Sequence, residues 1–273
     1  MPDHYAVVGN PIAHSKSPLI HTAFARQTGQ DLVYERLLAP LDGFATTVAR
    51  FAAAGGSGLN VTVPFKVEAF MLARGTSERA RVAGAVNTLR REGDAWWGDN
   101  TDGAGLVRDL VDRLGVRIEG RDVVILGAGG ATRGIVVPLL AQRPRTLTIA
   151  NRTVDKAAAL AMDFAAHGEV RAASAPALEG RAFDLVIHAT SADVAGGAAF
   201  PWPGSIFAAG AFAYDLTYAD QPTAFLRFAR DNGVAACADG LGMLIEQAAE
   251  SFFVWRGVRP DTRPVFGLLR SGG

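Results

Sequence analysis

The chain is short of the features that mark a secreted, membrane-bound or nucleic-acid-binding protein. It has one cysteine in 273 residues, so no disulfide can form within it. Lys and Arg number 27 and Asp and Glu 27, which leaves no net field to draw nucleic acid or an anionic membrane surface. No apolar run approaches the roughly 20 residues that span a bilayer. The first residues, Met1-Pro2-Asp3-His4-Tyr5, lack a basic stretch leading into an apolar one. These shortages point to a small-molecule partner, with no nucleic acid and no membrane, and to a cytoplasmic protein; a monomer or a homodimer is expected. The composition is also far from that of disordered chains, with 49% apolar and 20% charged residues. The lone Cys237 follows Val234, Ala235 and Ala236 and is expected to be an inert residue of a buried strand.

What is present is a length that favours two domains over one and a regular alternation of strand and helix. A strand at 5–8 is stopped by Gly9-Asn10-Pro11, and Ser15-Lys16-Ser17 precede Pro18, which opens a helix through His21, Phe24 and Ala25. A second strand at Leu32–Leu38 leads to an amphipathic helix at 41–53, ended by Gly55-Gly56. The strand-like run 59–63 stops at Pro64, and Phe65-Lys66-Val67 opens another helix. A hairpin is expected from 86–90 and 95–98. Asn100-Thr101-Asp102-Gly103 then caps a helix whose apolar positions are 106, 107, 110, 111 and 114 and whose stop is Gly115. Strands at 123–126, 146–150, 185–189, 213–216 and 234–238 alternate with helices at 131–142, 153–167 and 222–232, with Pro138 expected to kink the first of these. Residues 195–204 read as a Gly- and Pro-rich loop. A last helix, 242–255, is expected to return to the first domain. The fold class is α/β with two domains, 1–103 plus 241–273 and 104–240, the second a Rossmann-like, doubly wound parallel sheet.

The strand Val123-Val124-Ile125-Leu126 runs into Gly127-Ala128-Gly129-Gly130, followed by Ala131 at a helix start. A glycine turn in this position presents free N–H groups to a pyrophosphate. The third glycine of the G-x-G-x-x-G spacing falls on Thr132, so the general fingerprint is incomplete. The next strand ends in Asn151-Arg152-Thr153, 24 residues after Gly127, near where NAD enzymes place an acid for the ribose hydroxyls. An arginine there pairs with a 2′-phosphate and stacks on adenine, whereas an acid would repel the phosphate. The expected cofactor is therefore NADP.

The first half carries polar residues beside sharp turns: Ser15, Ser17, Asn60, Thr62, Lys66, Asn87 and Asp102. Lys66 is a candidate proton carrier and Asp102 a group to orient it. Each residue taken alone also has a plain structural reading, Asp102 as a helix cap and Asn60 as a turn residue.

In combination the motifs resemble the shikimate dehydrogenase family over essentially the whole chain. They are Gly9-Asn10-Pro11, His14-Ser15-Lys16-Ser17-Pro18, Asn60-Val61-Thr62-Val63-Pro64-Phe65-Lys66, Gly84-Ala85-Val86-Asn87-Thr88 and Asn100-Thr101-Asp102-Gly103. The second half adds Gly127-Ala128-Gly129-Gly130-Ala131-Thr132-Arg133, Asn151-Arg152-Thr153, Tyr214-Asp215-Leu216-Thr217-Tyr218 and Asp239-Gly240-Leu241-Gly242-Met243-Leu244 with Gln247. The resemblance implies reversible NADP-linked oxidation of shikimate to 3-dehydroshikimate, the reduction serving chorismate and aromatic amino-acid biosynthesis, with no metal.

By position it implies that Ser15 and Ser17 hold the substrate carboxylate with Tyr218 nearby. Asn60, Thr62, Asn87, Asp102 and Gln247 contact the substrate, Lys66 and Asp102 form the catalytic pair, and Leu216 and Gly240 join the cofactor contacts. The first domain then binds substrate and the second NADP. Two positions depart from the family's usual residues: Thr22 after His21, and His188 before Ala189-Thr190-Ser191, each where asparagine is common. A quinate/shikimate dehydrogenase of broader specificity and a catalytically silent NADP-binding sensor are the alternatives; the presence of both Lys66 and Asp102 speaks against the second.

Overall fold

Strand β1 (Asp3–Gly9) sends Ala6 and Val8 into one hydrophobic cluster and Tyr5 and Val7 into another, so it is buried on both faces. This computed structural model describes residues 2–190 and 200–271, the side chain of Ser271 excepted. After β1 come α1 (Ser17–Thr28), β2 (Leu32–Leu38), α2 (Phe44–Ala53), β3 (Gly56–Val61), α3 (Lys66–Leu72), β4 (Gly75–Thr76), α4 (Glu78–Ala83), β5 (Thr88–Glu92), β6 (Ala95–Asp99) and α5 (Asp102–Val107). The first sheet has the order β2-β1-β3-β5-β6-β4. Its β1 pairs parallel with β2 and β3, and β5 pairs antiparallel with β3 and β6. Phe44, Val48 and Phe51 of α2 and Ala69 of α3 join Ala6, Val8, Leu59 and Val61 in one core. Tyr34 and Trp255 lie with Tyr5 and Val7 on the other face.

The second sheet is wholly parallel. It is built from β7 (Asp122–Leu126), α6 (Gly130–Leu140), β8 (Thr146–Ala150), α7 (Val154–Asp163), β9 (Val170–Ala173), β10 (Phe183–His188), β11 (Phe207–Asp215), α8 (Ala224–Asp231) and β12 (Ala236–Ala238). Its order, β12-β11-β10-β7-β8-β9, reverses direction between β7 and β10, the doubly wound arrangement. The chain ends with α9 (Leu241–Arg256) and α10 (Arg263–Ser271). It divides into two compact units, residues 1–105 with 244–273 and residues 106–243, so α9 from residue 244 onward belongs with the first sheet.

Several elements differ from the sequence reading. Helix α2 starts at Phe44 rather than 41, because Gly43 takes the N-cap position, and β3 covers 56–61 rather than 59–63, taking in Gly56 and Gly58 and stopping before Thr62. Helix α6 covers 130–140 rather than 131–142 and contains Pro138 in its last turn. The helix after Asp102 widens to a π-helical turn at Arg108–Arg113 before Gly115, which has φ +66°. Cys237 is half-buried rather than buried, since β12 is an edge strand. Strands β4 and β9 and helices α4 and α10 were not expected. Of the loop expected at 195–204, residues up to 199 lie outside the described residues, and Gly204–Ile206 forms a short 3-10 turn.

Candidate active site

In the first unit the site grows from the carboxyl ends of the parallel strands β1 and β3. Gly9 ends β1, and a Cβ there would lie 2.4 Å from the Thr62 methyl, so only glycine lets the chain after β3 pass this close. Thr62 N–H donates to the Val8 carbonyl at 2.9 Å, and Phe65 N–H to the Thr62 carbonyl at 3.0 Å, turning the chain into α3 with Lys66 as its first residue. The Lys66 carbonyl accepts from Val86 N–H at 2.8 Å, which seats the start of α3 beside the segment carrying Asn87.

The loop between β6 and α5 is folded by its side chains. Asn100 donates to the Ala85 carbonyl at 2.9 Å, and its Oδ1 accepts from Asp102 N–H at 3.2 Å. Thr101 N–H donates to Asn87 Oδ1 at 2.8 Å, which fixes the direction of the Asn87 amide. Asn87 Nδ2 therefore faces Asp102 Oδ1, at 2.8 Å, and Gln247 Oε1, at 3.2 Å. The other carboxylate oxygen of Asp102 lies 2.6 Å from Lys66 Nζ. The two side chains are 5% and 13% exposed, so the pair is shielded from water and its charge-assisted bond is stronger than a surface one.

Asn60 and Gln247 extend this network. Asn60 Oδ1 accepts from the Tyr34 hydroxyl at 2.7 Å, and Nδ2 lies 3.0 Å from Ser251 Oγ and 3.3 Å from both Thr88 Oγ1 and the Asn87 carbonyl. Helix α9 supplies Gln247 and Ser251, and it packs closely on α5 because Gly105 has no Cβ: one would stand 2.7 Å from the Gln247 backbone nitrogen. Ser15 and Ser17 form a separate buried pair at the start of α1, with Ser15 Oγ 3.2 Å from Ser17 Oγ. Arg36 of β2 holds the Ser15 carbonyl through Nε at 2.9 Å and a terminal nitrogen at 2.6 Å. The Thr62 hydroxyl makes no hydrogen bond among the described residues.

Burial shapes the ionisation around this network. The Tyr34 phenol is pushed well above its ordinary range, chiefly by desolvation, so it stays a hydrogen-bond donor. His21 stacks on Tyr34 with ring centroids 4.3 Å apart and planes 4° from parallel, and neither ring nitrogen has a hydrogen-bond partner at good geometry among the described residues. Burial, only partly offset by the Asn60 amide, pushes His21 down to about 3.

In the second unit the glycine turn follows β7. Gly127 has φ +121°, and a Cβ on it would meet the Thr190 methyl at 2.8 Å, so glycine is required here by conformation and by packing. A Cβ on Gly129 would meet nothing within 4 Å, and Gly129 caps α6 with no side-chain hydrogen bond. The first N–H groups of α6 thus face open space, the arrangement that receives a pyrophosphate. Thr132, in place of a third glycine, is buried and donates its hydroxyl to the Gly127 carbonyl at 2.9 Å, bracing the turn from below.

Asn151 donates to the Thr153 carbonyl at 2.9 Å, while Arg152 is exposed and makes no hydrogen bond or ion pair with the described residues. Its guanidinium is available to a phosphate. Leu216 and Gly240 meet closely, for a Cβ on Gly240 would lie 2.2 Å from the Leu216 carbonyl oxygen. Tyr218 belongs to this second unit and is half-buried. These residues fit an NADP group: an open glycine cradle, an uncapped helix start and an unengaged arginine after the second strand.

Sequence reasoning missed Tyr34, Thr88, Thr101 and Ser251, which tie the first unit's polar residues together. Ser251 lies 191 positions from Asn60, and no local spacing signals such a contact.

Comparison with known proteins places three family matches along the chain. They are the shikimate dehydrogenase substrate binding domain over residues 7–89, shikimate / quinate 5-dehydrogenase over 109–195, and the shikimate 5′-dehydrogenase C-terminal domain over 240–265. A shikimate dehydrogenase (NADP(+)) of Dechloromonas aromatica (strain RCB) is 58% identical over 271 residues, covering 99% of this chain and 98% of that protein. Among solved structures, an Ael1 enzyme from Pseudomonas putida matches with a TM-score of 0.89 at 47% identity, covering 98% of each chain. The shikimate 5-dehydrogenase of Thermus thermophilus, solved with NADP(H) and shikimate, matches with a TM-score of 0.86 at 31% identity, covering 98% of this chain and 99% of that one.

Proposed function

The chain belongs to the shikimate dehydrogenase family, and from that membership we infer that it catalyses the reversible, NADP-linked oxidation of shikimate to 3-dehydroshikimate. The observation that carries the chemistry is the shielded contact of Lys66 Nζ with Asp102 Oδ2 at 2.6 Å. Residues 1–103 with 241–273 serve as the substrate-binding and catalytic domain and 104–240 as the NADP domain. Bound NADP supplies or accepts the hydride. In the reducing direction the Lys66 ammonium gives a proton to the carbonyl oxygen as it becomes a hydroxyl, and in the oxidising direction the amine takes that proton back. Asp102 holds the ammonium on one oxygen and is itself held by Asn87 on the other, so the proton carrier keeps one position through the cycle.

The Ser15 and Ser17 hydroxyls hold the substrate carboxylate, and Tyr218 is taken as a substrate contact on the family resemblance alone. Thr62, Asn87 and Gln247 meet the ring hydroxyls. Asn60, whose amide already has partners on both ends, acts on the substrate mainly by holding its neighbours in place. Gly127, Ala128, Gly129, Gly130 and Ala131 cradle the pyrophosphate. Asn151, Arg152 and Thr153 take the adenosine 2′-phosphate, and Leu216 and Gly240 line the remaining cofactor wall. Among the described residues no helix is long and apolar enough to cross a membrane; a cytoplasmic location and a monomeric or homodimeric state belong to the proposal.

The test is the initial rate of nicotinamide reduction with shikimate or quinate and NADP or NAD, for the parent and for Lys66→Ala. We expect shikimate with NADP to be the preferred pair. Lys66→Ala should lower kcat by about 10²- to 10⁴-fold, the usual worth of a positioned acid or base. Equal use of NAD, or full turnover by Lys66→Ala, would overturn the reading.

A further inference from the structure

A second buried polar chain lies in the cofactor unit and has no part in the proton transfer. His188 ends β10 and is 6% exposed, and Asp215 ends β11 and is 1% exposed. His188 Nδ1 is 3.0 Å from Asp215 Oδ1, and Nε2 is 2.7 Å from Thr190 Oγ1. The Asp215 carboxylate also accepts from Thr217 N–H at 3.0 Å and from the Thr223 hydroxyl at 2.5 Å. In the neutral imidazole, with the carboxylate accepting, Nδ1 carries the hydrogen and Nε2 accepts from the Thr190 hydroxyl. The ring cannot swing away, because it is stacked on Phe225 at 4.9 Å and 17° and flanked by Phe200 at 5.4 Å.

The bond from Thr190 to His188 settles which way the threonine faces. Its hydroxyl turns to the imidazole and its methyl turns to Gly127, whose absent Cβ would lie 2.8 Å from that methyl and 3.0 Å from the Ala189 carbonyl oxygen. Ala189 N–H donates to the Leu126 carbonyl at 2.8 Å, and Leu216 N–H to the His188 carbonyl at 2.9 Å. The ends of β7, β10 and β11 are thereby laced together, at the point between β7 and β10 where the strand order reverses. Open α/β sheets bind their ligands at this point. Burial alone calls for a partner on each imidazole nitrogen; what sets His188 apart is where its partners lie, a carboxylate on one strand end and the segment that walls the glycine turn.

We propose that His188 is a positioning residue for the dinucleotide: through Asp215 and Thr190 it fixes Ala189-Thr190 against Gly127 and so sets the shape of the phosphate-binding turn. This rests on the NADP-linked function proposed above. The test is fluorescence titration with NADPH together with steady-state kinetics, on the parent, His188→Ala, Thr190→Val, Thr190→Ser and the His188→Ala/Thr190→Val double variant.

Each of His188→Ala and Thr190→Val should weaken NADPH binding about tenfold, as loss of a buried hydrogen bond does, while the KM for shikimate moves by less than about twofold. Thr190→Ser, which keeps the hydroxyl, should bind NADPH more tightly than Thr190→Val. The double variant should be no weaker than the worse single, since either change breaks the same chain. Unchanged NADPH affinity in Thr190→Val, or losses that multiply in the double variant, would overturn the proposal. Thr190 is half-buried at a strand end, so its two variants carry the test even if His188→Ala does not fold. A parent protein that binds no NADPH at all would instead sink the functional reading beneath it.

Discussion

His21 sits neutral at the centre of an aromatic group formed with Phe24, Tyr34, Phe252 and Trp255, and its burial has a measurable cost in acid. Its pKa is about 3 in the folded protein, against about 6.5 for a free imidazole. The unfolded chain binds a proton that the folded chain refuses over that interval. The stabilisation is therefore complete above about pH 6.5 and is lost as pH falls toward 3, at about 1.4 kcal/mol per pH unit. His21→Phe, which keeps an aromatic ring and removes the titrating group, should flatten the dependence of the thermal midpoint between pH 7 and pH 4.5. Equal slopes in the two proteins would refute the assignment. Single residues of this kind are only half legible in a sequence. Lys66 and Asp102 stand out through the motifs around them, since alone one reads as a solvated side chain and the other as a helix cap, whereas Tyr34 and His21 read as ordinary apolar-face residues until their neighbours are known.

At the level of elements, α9 matters more to the first unit than its position in the chain suggests. Ser251 Oγ lies 2.8 Å from Thr88 Oγ1, 3.1 Å from Thr101 Oγ1 and 3.0 Å from Asn60 Nδ2, and it donates to the Gln247 carbonyl at 3.0 Å. Replacing it by alanine leaves buried groups on two strands short of a partner. Ser251→Ala is expected to lower stability by about 1–3 kcal/mol in urea unfolding, with little change in the m-value. A loss below about 0.5 kcal/mol would mean that the remaining hydroxyls rearrange to satisfy one another. The elements that the sequence made legible, such as β1, β2, β7, β8 and α9, carry apolar runs bounded by glycine, proline or a capping residue. Those it hid owe their form to contacts. Helix α4 is six residues long and is held by Arg79, which bridges both oxygens of Asp99 at 2.7 Å and Glu250 at 2.9 Å. Strand β9 exists because β8 offers it an edge.

The whole molecule is two units of different construction. Residues 106–243 are continuous, contain a complete six-stranded sheet and bury their own core, in which Phe225, Leu226 and Ala229 of α8 cover Val124, Val186 and Ala213. The other unit is assembled from residues 1–105 and 244–273. Expressed alone, residues 106–243 should unfold in one cooperative urea transition, and residues 1–105 alone should not, because Asn60, Thr88 and Asn87 would each lose the buried partner that α9 supplies. Two cooperative fragments would show that α9 is dispensable to its sheet. The split also imposes an order on biosynthesis. A ribosome makes every residue of the glycine-turn unit before it makes Ser251, so the nascent chain carries Lys66 in an unfinished sheet until α9 follows.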